Sequence, residues 1–330
     1  MSRSAVLFRA WSVVAIVVCA GLPLAAVAQG VAWPTRPVKF VVPFPPGGSV
    51  DPLARLLGVR LADSLGQPFI IENKTGASGA IGTAFVAKSP PDGYTYVVVF
   101  DTHAVNPALN PDLQFDTLKD LAPVMLVGTA PMAIVTNAAK PYKNFDDVIR
   151  AAKARPEAVS IGSVGNGSLG HLAMILVQQA GGFKVTHIPY KGGGPMMQDT
   201  MGGQIELGIA SVAALSANVK GGKLRALAVT GDKRSHVMPD VPTLAEQGFP
   251  GFSAFAWWGI LAPAGTPAPI LGKFHGELVK ALNQPDLRKQ LTETLGMDLA
   301  VSTPEALQKF LVGEIGRWGK VVKDNNVRAD

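Results

Sequence analysis

The sequence predicts an α/β protein built on a mostly parallel sheet, and three observations carry that reading. Short apolar, β-rich runs alternate with helical patterns along most of the chain. Several runs end in glycine-, proline- and serine-rich turns that open a helix, and open α/β sheets collect ligands at such carboxyl ends of strands. Hydrophobic residues make up 48% of the 330 residues and charged ones 16%, proportions of a globular chain rather than a disordered one.

In chain order, the first segment reads as a signal rather than a part of the fold. Arg3 and Arg9 form a positive flank, an apolar run follows from Val13 to Ala28, and Ala26-Val27-Ala28 gives the small-x-small pattern before a cut ahead of Gln29. The competing reading is a retained anchor, but the run is short and broken by Gly21 and Pro23 against the ~20 apolar residues a span needs. Cys19, the only cysteine, sits within the run behind the bulky Val18, which argues against a lipoprotein and leaves the mature chain without thiol or disulfide. Of the 30 basic residues, removal of Arg3 and Arg9 leaves 28 against 24 acidic ones, a net charge of +4. These charges are scattered, with no basic run or aromatic interleaving, so the balance excludes a nucleic-acid binder and suits an acidic ligand.

The mature chain is long enough for two lobes of roughly 100–150 residues. Val38–Val42 is the first strand and Asp51–Leu65 the first helix, apolar at Leu53, Leu56, Leu57, Leu61 and Leu65. Phe69–Glu72 and Tyr94–Phe100 read as strands around a helix at Gly79–Lys88. Ala133–Thr136, Val159–Gly162, His187–Pro189, Leu207–Ala210 and Arg225–Val229 read as further strands, with helices at Phe145–Arg155, Leu169–Gly181 and Met196–Gly202. The C-terminal part reads as helices at Ile270–Leu282, Pro285–Leu295 and Pro304–Asn325. The turn Gly128–Pro131 and the segment Phe255–Pro263 are places where the chain can cross between lobes. That makes residues 29–131 and 256–330 a discontinuous lobe 1 and residues 132–255 lobe 2.

Four loops can carry chemistry. The first, Pro45-Pro46-Gly47-Gly48-Ser49-Val50-Asp51, turns from a strand into a helix and aims unpaired backbone N–H groups at one point, a setting for an anion. Asp51 either complements the helix dipole or meets a ligand ammonium group. The second loop holds Thr102 and His103. The third, Gly162–His171, offers Ser163, Gly165, Asn166, Gly167 and Ser168 for ligand contact, or else is a turn capped by Ser168. The fourth is Pro189-Tyr190-Lys191-Gly192-Gly193-Gly194-Pro195. His103 and His171 either donate to an anion or are tied to local backbone. Gly76-x-x-Gly79-x-x-Gly82 departs from the dinucleotide spacing and reads as a turn into a packed helix. None of the five histidines has metal-ligand spacing, no nucleophile elbow is present, and no acid–base pair accompanies the loops. No metal, cofactor or catalytic residue is expected. Trp257, Trp258, Phe252 and Phe255 form an aromatic cluster that either packs the core or lines the cleft.

Together these residues resemble the substrate-binding proteins of tripartite tricarboxylate transporters, the Bordetella uptake gene family. The resemblance rests on Trp33-Pro34-Thr35-Arg36-Pro37, Val42–Gly48, Glu72–Gly79, Pro91–Thr95, the third and fourth loops, Gly222–Thr230, Pro239–Thr243 and Ala262–Pro267, in order over nearly the whole mature chain. It implies a two-lobed periplasmic binding-protein fold of type II, with the ligand cleft between lobes. It implies a small carboxylate held by Gly47, Gly48, Ser49, Ser163, Asn166, Gly167 and Ser168, with Thr102 and His103 in the second loop. Tyr190 and Gly192 of the fourth loop, Gly165, His171 and Asp51 complete the expected set together with Ser211. Where many relatives carry Phe-Asp-Asn, this chain has Ile209-Ala210-Ser211 and so lacks a cleft carboxylate. That disfavours an amino acid and favours a di- or tricarboxylate or an aromatic acid. The implied protein is a periplasmic monomer working with a large and a small membrane subunit. A periplasmic sensor feeding a signalling receptor and a secreted enzyme acting on a carboxylate are the alternatives.

Overall fold

The computed structural model describes residues 32–328. The signal read at residues 1–28, its cut ahead of Gln29 and Cys19 lie outside the described residues.

The strands after Trp33 form a ten-stranded sheet in two groups that share one strand. In the first group β1 (Val38–Val42) pairs in parallel with β2 (Phe69–Asn73) on one side and β3 (Thr95–Phe100) on the other. Antiparallel β9 (Phe255–Pro263) lies on β3 and against β4 (Leu121–Asn137). In the second group β5 (Ser160–Ser163) pairs in parallel with β6 (Thr186–Pro189) and β7 (Leu207–Ser211). β7 and β8 (Leu224–Val229) both pair antiparallel with β4.

β4 therefore belongs to both groups. Its Leu121–Pro131 stretch is paired with β9, and Met132–Asn137 with β7 and β8. The turn expected at Gly128–Pro131 is thus the middle of a 17-residue strand, and the segment expected only as a crossing at Phe255–Pro263 is strand β9. The sheet is mixed rather than mostly parallel because β4, β8 and β9 run against their neighbours. Gly128 is a position only glycine fits: a Cβ there would lie 2.7 Å from the Asp298 carbonyl of β10 (Asp298–Leu299), which pairs with β4 at this point.

Ten helices cover the sheet among the described residues. α1 (Val50–Leu65) buries Leu53, Leu57 and Leu61 and ends at Gly66 in the left-handed region, φ 70°. α2 (Ala80–Ala87), α4 (Phe145–Ala154), α5 (Leu169–Gly181) and α6 (Gly193–Met201) lie within a few residues of their sequence-predicted spans, α6 starting earlier on its glycines. α4 starts on a capping box between Asn144 and Asp147. α8 (Ala268–Leu282), α9 (Pro285–Lys289) and α10 (Pro304–Asp324) complete the C-terminal part. Two helices were not expected: α3 (Thr102–Leu109), placed as a loop, and α7 (Val212–Lys220). α3 contains Pro107, and both helices are short, eight and nine residues, so neither is long enough for a helical period to stand out.

The core of the first group is aromatic. Phe274 of α8 is fully buried and meets the rings of Trp33, Phe40, Phe69 and Tyr96 with centroids 4.0–6.3 Å apart. Trp33 is fixed by its indole N–H donating to the Gly93 carbonyl at 2.9 Å. Among the described residues no helix is long and apolar enough to cross a membrane. Truncation of Phe274 leaves a cavity that its ring neighbours cannot fill, so Phe274→Ala should destabilise the fold by about 3–5 kcal/mol. Urea unfolding followed by tryptophan fluorescence measures this, and a loss below 1 kcal/mol would place Phe274 outside the cooperative core.

Candidate functional site

Helix starts define the site. β1 runs through Pro43–Gly48 into α1, β6 runs through Tyr190–Gly192 into α6, and β7 passes at Ser211 directly into α7. In all three helices no side chain caps the N-terminus. Their first N–H groups have no partner inside the helix, and each helix end carries roughly half a positive charge. α1 belongs to the first strand group, α6 and α7 to the second.

The three starts face one small cavity. Gly48, Ser49 and Val50 line it from α1, Gly193 from α6, and Ser211 and Ala214 from α7. Phe44, Phe100, Val164 and Ala210 supply the apolar wall, and no charged side chain lines it. Its volume is about 20 Å³, room for a water molecule and too small for an acid of several heavy atoms. The Ser211 hydroxyl is 1% exposed and without a hydrogen-bond partner. Ser49 Oγ accepts from the Trp258 indole at 3.2 Å, which leaves the serine proton to be donated.

The glycine turns of the two groups touch. A Cβ on Gly194 would sit 2.6 Å from the Pro46 carbonyl, and one on Gly192 would sit 2.8 Å from the Pro45 ring. Gly47 lies in the left-handed region, φ 92°, with Gly194 Cα 3.3 Å from where its Cβ would be. Only glycine allows backbone to meet backbone this closely. The first and fourth loops thus form one contact.

The third loop is organised around its own groups. Ser163 Oγ lies 2.9 Å from the Gly165 carbonyl and 2.7 Å from His187 Nε2, and it accepts from Ser168 Oγ at 3.2 Å. Ser168 also caps α5, accepting from the His171 N–H. His171 Nδ1 accepts from the Gly167 N–H at 3.1 Å, and the His171 and His187 rings stack 3.7 Å apart. Burial, with His171 beside it, pushes His187 down to about 3, so the pair carries no charge from that ring near neutrality. The hydroxyls of Ser163 and Ser168 are fully buried in this network. Of this loop, Val164 reaches the inner cavity, while Gly165 and Asn166 line a wider outer groove of about 640 Å³ with Ser78, Asn106, Tyr190 and Lys191. Ser78 Oγ donates to the Asn166 carbonyl at 3.0 Å, a bond from the first strand group to the second.

Of the remaining candidates, Asp51, Thr102 and His103 sit apart from both cavities, while Tyr190 lines the groove. Burial pushes the Asp51 carboxyl up, but bonds from Arg55 and Asn73, each at 2.9 Å, outweigh it and hold the group below the usual carboxylate range. Thr102 and His103 are buried in the first turn of α3. Neither nitrogen of His103 has a partner, its ring lies parallel to Phe115 at 6.2 Å, and burial pushes its pKa down to about 3. Asp101, which precedes α3, is also buried, and that burial holds its carboxyl well above the ordinary range. Burial and Asp199 push the Tyr190 hydroxyl, which donates to Asp199 at 2.6 Å, up to about 12. The sequence reading missed Phe44, Phe100, Val164, Ala210 and Ala214 as wall residues and Ser78 and Lys191 as groove residues; their signal was only their place at the ends of strands or in glycine turns. Among the described residues no group of three or more His, Cys, Asp or Glu could hold a metal ion.

The chain that carries this site, formed at strand ends by uncapped helices of two strand groups, has known relatives. The family model described as the tripartite tricarboxylate transporter family receptor matches residues 53–327. The chain belongs to that family. Protein BugT of Bordetella pertussis is 38% identical over 307 residues, covering 92% of this receptor and 94% of the relative. A solved structure of an R. palustris protein with adipate is 34% identical with a TM-score of 0.86, covering 90% of the receptor and 99% of that chain. MatC from Rhodopseudomonas palustris with bound malate is 34% identical with a TM-score of 0.82, covering 88% of the receptor and 100% of that chain. The receptor therefore has the periplasmic binding-protein fold that the sequence motifs implied, and its relatives are solute-binding proteins rather than enzymes.

The buried His103 has a consequence for stability. An unfolded histidine titrates near 6.5, so between that pH and about 3 the unfolded receptor binds a proton that the fold refuses. The cost is absent above pH 6.5 and grows by about 1.4 kcal/mol for each pH unit below it. His103→Phe, which keeps the ring beside Phe115, should match the wild type near pH 8 and gain on it steadily toward pH 5. Urea unfolding at several pH values checks this, and parallel stability curves would show that the fold accepts the proton.

Proposed function

We propose that this receptor captures a small carboxylate in the periplasm and presents it to the membrane subunits of a tripartite transporter. The observation that carries the reading is the convergence of three uncapped helix N-termini, drawn from both strand groups, on a cavity with no acidic side chain. A carboxylate there accepts hydrogen bonds from main-chain N–H groups and from Ser49 and Ser211, and charge-assisted bonds of this kind are the stronger ones. The absence of an acid in either cavity leaves an ammonium group without a partner, which disfavours amino acids. The relatives with adipate and malate support a carboxylate ligand.

Capture requires motion. A cavity of about 20 Å³ between touching glycine turns cannot admit a metabolite, so the ligand enters with the turns parted and is enclosed as they return. The moving bodies are residues 29–131 with 256–330 and residues 132–255, hinged where β4 and β9 pass between them. Enclosure removes water and strengthens each hydrogen bond to the anion. The chain is exported by the signal at residues 1–28, cleaved near Ala28, and acts as a monomer.

A thermal-shift screen of the mature chain over mono-, di- and tricarboxylates tests the reading. A ligand that binds only the folded state stabilises it by about 2.7 kcal/mol at a concentration 100 times its Kd, so at least one acid should raise the Tm in proportion to the logarithm of its concentration. Flat curves across all three classes would refute carboxylate capture. Ser211→Ala, which removes a buried donor without filling space, should weaken the best acid by about 1–2 kcal/mol in calorimetry; an unchanged Kd would remove Ser211 from the site.

A further inference from the structure

Away from the inner cavity, the two strand groups also meet along a seam. α3 and α10 form one side of it, and α5 with the loop before it forms the other. Leu109 of α3 packs on Gly167 so closely that a Cβ there would overlap its side chain. The Asn166 amide donates to the Arg328 carbonyl and the Gln179 amide to Asn325, both across the seam. Asp101 lies at this seam, directly before α3 and one residue past the Phe100–Trp258 pair of β3 and β9.

Asp101 is 1% exposed, and neither oxygen of its carboxyl has a hydrogen-bond partner. The main-chain N–H groups of Leu169, at the start of α5, and of Thr102 face it without closing a hydrogen bond. No cation pairs with it among the described residues. α10 turns Glu314 toward it, a second carboxyl that accepts from the Trp318 indole at 2.9 Å. α3 carries His103, which burial keeps neutral, and β9 carries Trp257, whose indole N–H is unpartnered. His171, the titratable group near the start of α5, is engaged with Gly167 and His187. A charged carboxyl without a partner in such a place is costly, and Glu314 adds repulsion of like sign. The structure as it stands, with the seam shut, therefore favours a protonated Asp101, and burial holds its carboxyl well above the ordinary range.

We propose that the receptor binds a proton on Asp101 each time it closes around its ligand and releases that proton when it opens. In the motion described above, Leu169 travels with residues 132–255 and Asp101 with the other body. Parting them opens the seam, water reaches the carboxyl, and it ionises near its ordinary value of about 4. Below that pH both forms carry the proton and closure is indifferent to pH. Above it closure consumes a proton, so capture weakens as the pH rises. This rests on carboxylate capture with closure and adds the proton as a second bound species.

Calorimetry of the mature chain with acetate, succinate and citrate, each in buffers of low and high ionisation enthalpy, counts the protons that accompany binding. An acid that binds should bring more protons to the wild type than to Asp101→Asn, which keeps the shape and has no proton to gain, with the difference approaching one per acid. Between pH 5 and pH 7 the wild-type Kd should rise relative to that of Asp101→Asn by up to about tenfold per pH unit, leaving the variant the tighter binder at pH 7. Asp101→Ser gives the same comparison if the amide disturbs the seam. Equal proton counts, or parallel pH profiles, would overturn the coupling and leave carboxylate capture standing. Binding of none of the three classes of acid would overturn both.

Discussion

A single strand shared between two groups is the constraint on which this fold depends. β4 is long enough to give its first part to β9 and its second to β7 and β8, and the sheet has no other continuous link of that length among the described residues. Its register shifts beside Pro123, Leu126 and Ile134 show the ladder adjusting where partners change. An antiparallel strand with bulges twists and bends more readily than a flat ladder. The glycine turns that meet over the cavity are carried by strands on either side of it, so their contact is set by the path of β4.

The parallel strands were legible because each is a short apolar run bounded by glycine, proline or polar residues. β1, β3, β5, β6 and β7 lie within a residue or two of their expected spans. Of the antiparallel elements, β8 and the second part of β4 were legible too, while the first part of β4, β9 and β10 were not. Pro123, Gly128 and Pro131 interrupt the first part of β4 and imitate a turn, yet Gly128 is there to admit β10 and the prolines sit where pairing shifts or ends. At the site, the glycine loops announced themselves through composition. What composition does not reveal is where a hydroxyl's bonds go: Ser163 and Ser168 are engaged with each other and with His187, while Ser211 is left with none. That distinction depends on partners distant in sequence, so the Ser-rich loop looked more chemical than it is.

The electrostatics of the closed cleft are made from dipoles rather than formal charges. Burial keeps His187 and His103 neutral near pH 7 and favours the protonated form of Asp101. Asp51 sits near the first turn of α1 but is neutralised by Arg55. The cavity is therefore lined by groups without formal charge, and the field within comes from aligned peptide groups.

Main-chain N–H groups are supplied by every residue except proline. A grip formed by the starts of α1, α6 and α7 therefore does not depend on which side chains surround it, provided the glycines that permit close approach remain. Substitution of Phe44, Phe100, Ala210 or Ala214 would reshape the walls of the chamber and leave these main-chain donors in place. An architecture of this kind separates anchoring from discrimination, so a lineage of such proteins can drift from one metabolite to another by repainting the walls, without rebuilding the clasp.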